Sequence, residues 1–376
     1  MSESAYDAIV VGTGIVGAAC AAELSRRGMR TLLIGQDMIG SGATAAGMGH
    51  IVVMDDSDAQ FSLTRYSQQL WKKLKPELPV DVEYDECGTI WIATDEEEMR
   101  EVERKRDYYN ERGVPAKALD ASELYELESN VAPGMLGGLL VPEDCVLYPP
   151  CAASFLVRRA REQGADVHLG VGVERIAHQQ VRLKDGSEFS GSLIVNAAGA
   201  SSPELTEGVE VKKRKGHLVI TDRYPGFVRH QLVELGYLKS AHSVSSDSVA
   251  FNIQPRRTGQ ILIGSSRQYG SDNTDVDNVI LVRMLQRAQK YMPGLGRLVM
   301  IRTWTGFRPA THDKLPFIGP AVTDKSVFLA TGHEGLGITT SLGTARILAD
   351  LVEGKTPEIA SEAYLPSRNL KEHVHA

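Results

Sequence analysis

The chain opens on a short unbroken apolar run, Ala8-Ile9-Val10-Val11, which stops at Gly12-Thr13-Gly14-Ile15-Val16-Gly17 and gives way to an Ala-rich stretch, 18–27, closed by Gly28. An apolar run of that length bounded by glycine predicts a strand buried on both faces, and the Ala-rich stretch predicts a helix. A second apolar run, 29–34, completes a strand–helix–strand unit whose two strands must lie parallel. Further along, helical spacing recurs at 59–75, 95–112 and 156–163. The charged pattern of 95–112 reads as a solvated face rather than a binding patch. Buried strands are predicted at 166–173, 192–196 and 327–331, the last leading through glycines into a helix from about 339 to 352.

Between these elements the pattern changes to alternation, over 82–93 and again over 216–266, as in Ser248-Val249-Ala250-Phe251-Asn252-Ile253. Alternation of this kind predicts antiparallel sheet. The expected architecture is α/β, or α+β overall: a Rossmann-like nucleotide domain from 1–81, 145–215 and 300–376, interrupted by an antiparallel-sheet substrate domain from 82–144 and 216–299. The cleft between the two is the expected active site, and the last residues, from about Leu365, are expected to fray.

Length and composition narrow the function. With 376 residues the chain makes two or three domains, and 42% hydrophobic with 24% charged residues is ordinary globular usage. Lys and Arg number 41 against 48 Asp and Glu, a net charge of −7, so the basic excess that nucleic-acid binding requires is missing. The four cysteines, Cys20, Cys87, Cys145 and Cys151, form no Cys-x-x-Cys pair, which leaves no iron–sulfur or zinc framework and no expected metal, and suits a reducing cytoplasm. Neither a signal peptide nor a membrane span is read in the chain, so a cytoplasmic protein is expected.

The glycines carry the chemistry. Gly12 provides the tight turn, Gly14 lets backbone approach a pyrophosphate, Gly17 allows close helix–strand packing, and the helix N-terminus faces the anion. In this strand–helix context the pattern is expected to bind a dinucleotide, the alternative being a merely structural glycine turn. Where the second strand ends, an acidic residue normally takes the ribose hydroxyls, and this chain has Gly35, leaving Gln36, Asp37, backbone or water to substitute. The run Ser41–His50 is small enough to press against a flat ligand. Thr331-Gly332-His333-Glu334-Gly335-Leu336-Gly337-Ile338-Thr339 sets a second glycine-rich loop before a helix, with bare backbone donors and a positive dipole that would favour negative charge on a reduced ring.

Taken in order, the glycine fingerprint, Ala197-Ala198-Gly199, Gly306-Phe307-Arg308-Pro309 with Asp313-Lys314-Leu315-Pro316, and the Thr331–Gly337 run resemble the D-amino-acid oxidase (DAO) family, a glutathione-reductase-type fold that includes glycine oxidase and sarcosine oxidase. Within it, Gly47–Asp56 and Gly332–Thr339 look most like the flavin β subunit of bacterial D-hydroxyproline dehydrogenase, with hydrogen cyanide synthase and opine oxidase flavin subunits close behind. The resemblance implies FAD, noncovalent because no cysteine matches the position of covalent attachment. It implies oxidation of a C–N bond alpha to a carboxylate, by hydride transfer to flavin N5.

Residue by residue, the resemblance places FAD against Gly12, Gly14, Ile15, Val16 and Gly17, with Gln36 toward the ribose. Thr44, Ala45, Gly47, Met48 and Gly49 follow from the small-residue run, and Val173 through its main chain over the adenine. Ala198, Gly199, Gly306, Arg308, Gly335, Leu336, Gly337, Ile338 and Thr339 complete the set. Arg308 is the implied clamp on the substrate carboxylate, where a guanidinium fork makes a bidentate contact. His50 is a further catalytic or substrate candidate, His242 and Asn252 are expected from the sheet roofing the cleft, and His333 is expected to order the loop before the helix. Transfer to a flavin needs a neutral amine and alignment more than a protein base, so none is nominated.

The reading is a dehydrogenase of a D-amino or imino acid of the D-hydroxyproline or D-proline class that passes electrons to a non-oxygen acceptor, with partner subunits carrying iron–sulfur or flavin centres as possible recipients. Two alternatives stand beside it: a peroxide-forming oxidase of glycine, sarcosine or D-amino acids, and a non-catalytic flavin subunit of a larger complex.

Overall fold

The computed structural model describes residues 6–177, 179–236 and 247–368. Its first sheet runs in the order Phe317–Pro320, Val327–Thr331, Glu188–Asn196, Tyr6–Val11, Thr31–Gly35, Asp166–Leu169, and all neighbours after the first pair are parallel. The strands read as unbroken apolar runs because both faces are covered. Successive side chains alternate: Ala8, Val10, Leu33 and Val195 pack under the helices Ile15–Arg26, Pro149–Glu162 and Gly337–Val352. Ile9, Val11, Leu32, Ile34 and Ile194 meet the hairpin of Val173–Ala177 and Gln180–Leu183 on the other side.

The second sheet runs Met300–Ala310, Lys212–Thr221, Ile261–Arg267, Ser248–Pro255, Gln231–Glu234, Thr89–Ala93, Gly137–Val141, Lys117–Asp120. It is antiparallel apart from Gln231–Glu234 and Thr89–Ala93, which pair in parallel. Its outer face buries Ile90, Val219, Leu232, Ile253 and Ile263, with Met284 and Ala288 of the helix Asn278–Tyr291 in the same cluster.

The structure differs from the sequence expectation in three places. The strand Met300–Ala310, and the start of Lys212–Thr221, belong by hydrogen bonding to the second sheet and not with the 145–215 and 300–376 nucleotide segments. Gly306 and Pro309 hide the strand from pattern reading, and its position at a sheet edge is where a proline is tolerated. Of 82–93, only Thr89–Ala93 is strand, and it is buried along its whole length. The helix Glu96–Glu111 is not solvated all round: Lys105 is fully buried, ion-paired with Asp55 and set over the rings of Trp91 and Tyr109.

Candidate functional site

Parallel strands end in register, and their carboxyl ends are where open α/β sheets bind ligands. Val11 pairs with Ile34 and with Asn196, so the turns that follow at Gly12, Gln36 and Ala197 share one edge of the sheet. All three line a single cavity of about 810 Å³ that continues beneath the second sheet.

The glycine turn is dictated by contact. A Cβ on Gly12, where φ is +116°, would sit 2.4 Å from the Ala197 carbonyl oxygen, and one on Gly17 would sit 1.8 Å from the Gly12 carbonyl oxygen. Gly17 is therefore a packing residue and does not line the cavity. The helix behind the turn has Gly14 as N-cap with no side-chain cap from the residue itself. The Ile15 N–H instead donates to Thr44 Oγ1 at 3.0 Å, tying the small-residue run to the helix start.

That run is packed rather than loose. A Cβ on Gly47 would meet Ile338 at 2.7 Å and one on Gly306 would meet Ala46 at 2.2 Å, so the segment is held between the helix Gly337–Val352 and the edge strand Met300–Ala310. It leads into the two-residue strand His50–Ile51, whose partner is Cys145–Val146. Thr339 acts as a strap, its hydroxyl donating to the His50 carbonyl at 2.8 Å. The helix beginning at Gly337 has no side-chain cap and no acidic residue in its first turn, so its first N–H groups face the cavity as a positive dipole end.

Arg308 lies on the edge strand opposite Arg214, and its Nη1 donates to the Ser266 carbonyl at 2.8 Å. Gly216 makes room for this reach across the neighbouring strand, since a Cβ there would lie 2.4 Å from Nη1. Arg214 is ion-paired with Glu334, both nearly buried, and Arg308, Arg267, Arg214 and Glu334 all line the cavity. His50 lines it too, and burial, reinforced by the Arg308 charge and only partly opposed by Gln254, takes its ring down to about 4. Burial alone takes His333 down to about 3; its Nε2 is 2.9 Å from Thr344 Oγ1 within the following helix. Both rings are neutral at physiological pH.

Gly12, Gly14, Ile15, Val16, Gln36, Thr44, Gly47, Met48, Gly49, Val173, Ala198, Gly199, Gly306, Gly335, Leu336, Gly337 and Ile338 line the cavity, as do His50, Asn252 and Arg308. Ala45 and Thr339 do not, and His242 lies outside the described residues. Gly35 has a local cause: a Cβ there would come within 2.4 Å of the Thr13 side chain. Gln36 and Lys184 flank Gly172 at the same end of the cavity.

Sequence reading passed over Trp91, Gln231, Lys184, Arg214 and Glu334, which converge only in three dimensions. Gly216 could have been found, because a glycine inside an otherwise strand-like run marks a close approach. None of the four cysteines lines the cavity, and no group of metal-ligating side chains occurs among the described residues. Among them, too, no helix is long and apolar enough to cross a membrane.

A family model described as FAD dependent oxidoreductase (DAO) matches residues 7–351. Glycine oxidase of Bacillus licheniformis is 27% identical over 98% of this chain and 99% of its own length. Hydrogen cyanide synthase subunit HcnC of Pseudomonas aeruginosa is 26% identical over 96% of each. D-amino acid dehydrogenase of Methylobacterium nodulans is 27% identical over 82% of this chain and 73% of its own. Among solved structures, glycine oxidase from Geobacillus kaustophilus superimposes with a TM-score of 0.86 at 26% identity, covering 97% of this chain and 99% of that one.

Proposed function

The chain belongs to the DAO family of FAD-dependent oxidoreductases, and from that premise we propose that it oxidises the C–N bond of a small D-amino or imino acid, of the D-hydroxyproline or D-proline class, to the imine, with electrons passed to an acceptor other than oxygen. The observation that carries this reading is Arg308, fixed by Gly216 and Ser266 inside the same cavity as the glycine-lined cradle. A guanidinium fork in that cavity offers a substrate carboxylate a charge-assisted partner.

The cradle suits FAD: a glycine turn at one helix start, an uncapped second helix start and a run of small residues between them. FAD, when bound, supplies the two-electron acceptor. The protein does the rest by binding and electrostatics. Arg308 takes the substrate carboxylate in a charge-assisted pair. Arg308 and Arg267 disfavour a further positive charge in the cavity, which lowers the substrate ammonium pKa and favours the neutral amine whose lone pair the oxidation needs. Neutral His50 and His333 add no competing cation. The Glu334 carboxylate is occupied by Arg214. No cysteine lines the cavity to form a thioether to the cofactor, in keeping with the noncovalent attachment proposed.

A peroxide-forming oxidase is the second reading, favoured by the near full-length similarity to glycine oxidase. A flavin subunit that works only in a complex with other electron-carrying chains is the third, since one relative is a subunit of hydrogen cyanide synthase. The deciding experiment is an anaerobic spectrum before and after D-proline, cis-4-hydroxy-D-proline, sarcosine or glycine, followed by air. Bleaching by an imino acid with slow recolouring is expected. Rapid recolouring with peroxide would select the oxidase, and a yellow protein that no amine bleaches would select the subunit without turnover of its own.

A further inference from the structure

We propose that the cavity contains, across the sheet from Arg308, a subsite built by Trp91, Gln231 and Asn252 that recognises an uncharged hydrogen-bonding group, a hydroxyl or carboxamide, on the part of the substrate remote from its carboxylate. This deepens the functional reading above and rests on it.

The subsite follows from strand register. Val233 is paired with both Trp91 and Asn252, so these three residues form one row across three adjacent strands. Gln231 lies two residues before Val233 and therefore shares its face. That face is the cavity side, since Trp91, Gln231, Val233 and Asn252 all line the cavity while Leu232 and Ile253 point into the core behind. Asn252 pairs in turn with Gly264, two residues along the strand from Ser266, which anchors Arg308. At about 4.8 Å per strand, the row runs away from the clamp and along the sheet.

Three polar atoms on this face have no protein partner. Trp91 Nε1, Gln231 Oε1 and Asn252 Oδ1 are buried without a hydrogen-bond partner, and Trp91 and Gln231 are each 3% exposed. Buried donors and acceptors are nearly always satisfied, and leaving one unmade is costly. One donor and two acceptors without partners, on three residues that line one cavity, fit a ligand group that both donates and accepts, as a hydroxyl or amide does. Nearby charges are paired, Lys105 with Asp55 and Lys314 with Asp56.

The test is anaerobic stopped-flow reduction of the holoenzyme with matched pairs: cis-4-hydroxy-D-proline against D-proline, D-serine against D-alanine, and D-glutamine against D-norleucine. In at least one pair the polar member should reduce the flavin about tenfold faster per unit concentration. Gln231→Leu should abolish that preference, bringing the polar member down to the rate of its apolar counterpart. Trp91→Phe, which removes only the indole N–H, gives the same answer should the first variant fold poorly. Equal rates in every pair, or variants that change FAD affinity and not selectivity, would overturn the subsite while leaving the clamp intact. If no amino acid bleaches the flavin, the functional reading fails first and the subsite falls with it.

Discussion

The Arg308 guanidinium lies over Gly216 of the adjacent strand, in space that any side chain at Gly216 would fill: a Cβ would come within 2.4 Å of Nη1 and 2.7 Å of Nη2. The position of the proposed carboxylate clamp thus depends on the absence of a side chain at Gly216. Gly216→Ala should raise KM for an amino acid by about tenfold or more with a folded, FAD-loaded protein, since a shift of about 1 Å in a positioning group is enough for such losses. Arg308→Lys should also raise KM, because an ammonium cannot reproduce the bidentate contact. Steady-state kinetics on the two variants checks both, and an unchanged KM in Gly216→Ala would separate the clamp from this packing.

At the other end of the cavity the missing acidic residue is explained by its neighbour. Thr13, within the glycine turn, occupies the space that a side chain at Gly35 would enter. Gly35→Glu alone should therefore weaken FAD binding, whereas Thr13→Gly with Gly35→Glu should restore or exceed the affinity of the natural protein. Fluorescence titration of apoprotein with FAD reads the constants directly.

His333 holds a second expectation, this time in acid. Burial lowers its ring from the usual 6.5 to about 3, so the unfolded chain takes up a proton that the folded chain refuses. Stability conferred by the neutral ring is complete above about pH 6.5 and is lost as pH falls toward 3, by about 2 kcal/mol at pH 5. His50, lowered to about 4, acts in the same direction. Denaturant melts at pH 7 and pH 5 should show a smaller fall for His333→Gln than for the natural protein.

Asp144 has the opposite slope. It is fully buried, accepting from the Val53 N–H and the Gln68 amide, and burial raises its carboxyl to about 7 despite those bonds. The folded chain keeps a proton that the unfolded chain releases near 3.8, so stability declines as pH rises toward 7 and the cost persists above it. Asp144→Asn, which keeps the acceptor, should be the more stable protein at pH 8, by up to about 4 kcal/mol, and should lose this advantage near pH 4.

What the sequence by itself determined lies in short stretches whose shape is local. The run Tyr6–Val11 followed by Gly12, and Val327–Thr331 followed by Gly332, are each strand, turn and helix within about thirty residues. In each the apolar run, the glycines and the helical stretch follow one another directly along the chain, so pattern alone places them, and with them the cofactor cradle and the family.

The tertiary structure decided the remainder. Arg308 is positioned by Gly216 and Ser266 from two other strands, and Trp91, Gln231 and Asn252 meet through strand pairings, among them that of Val233 with the distant Trp91. Lys105 reads as surface on its own helix and is buried because Asp55 and two aromatic rings receive it. Side chains at such distances carry no periodic signal in one another's neighbourhood; the register of a sheet, which joins strands distant in sequence, brings them together.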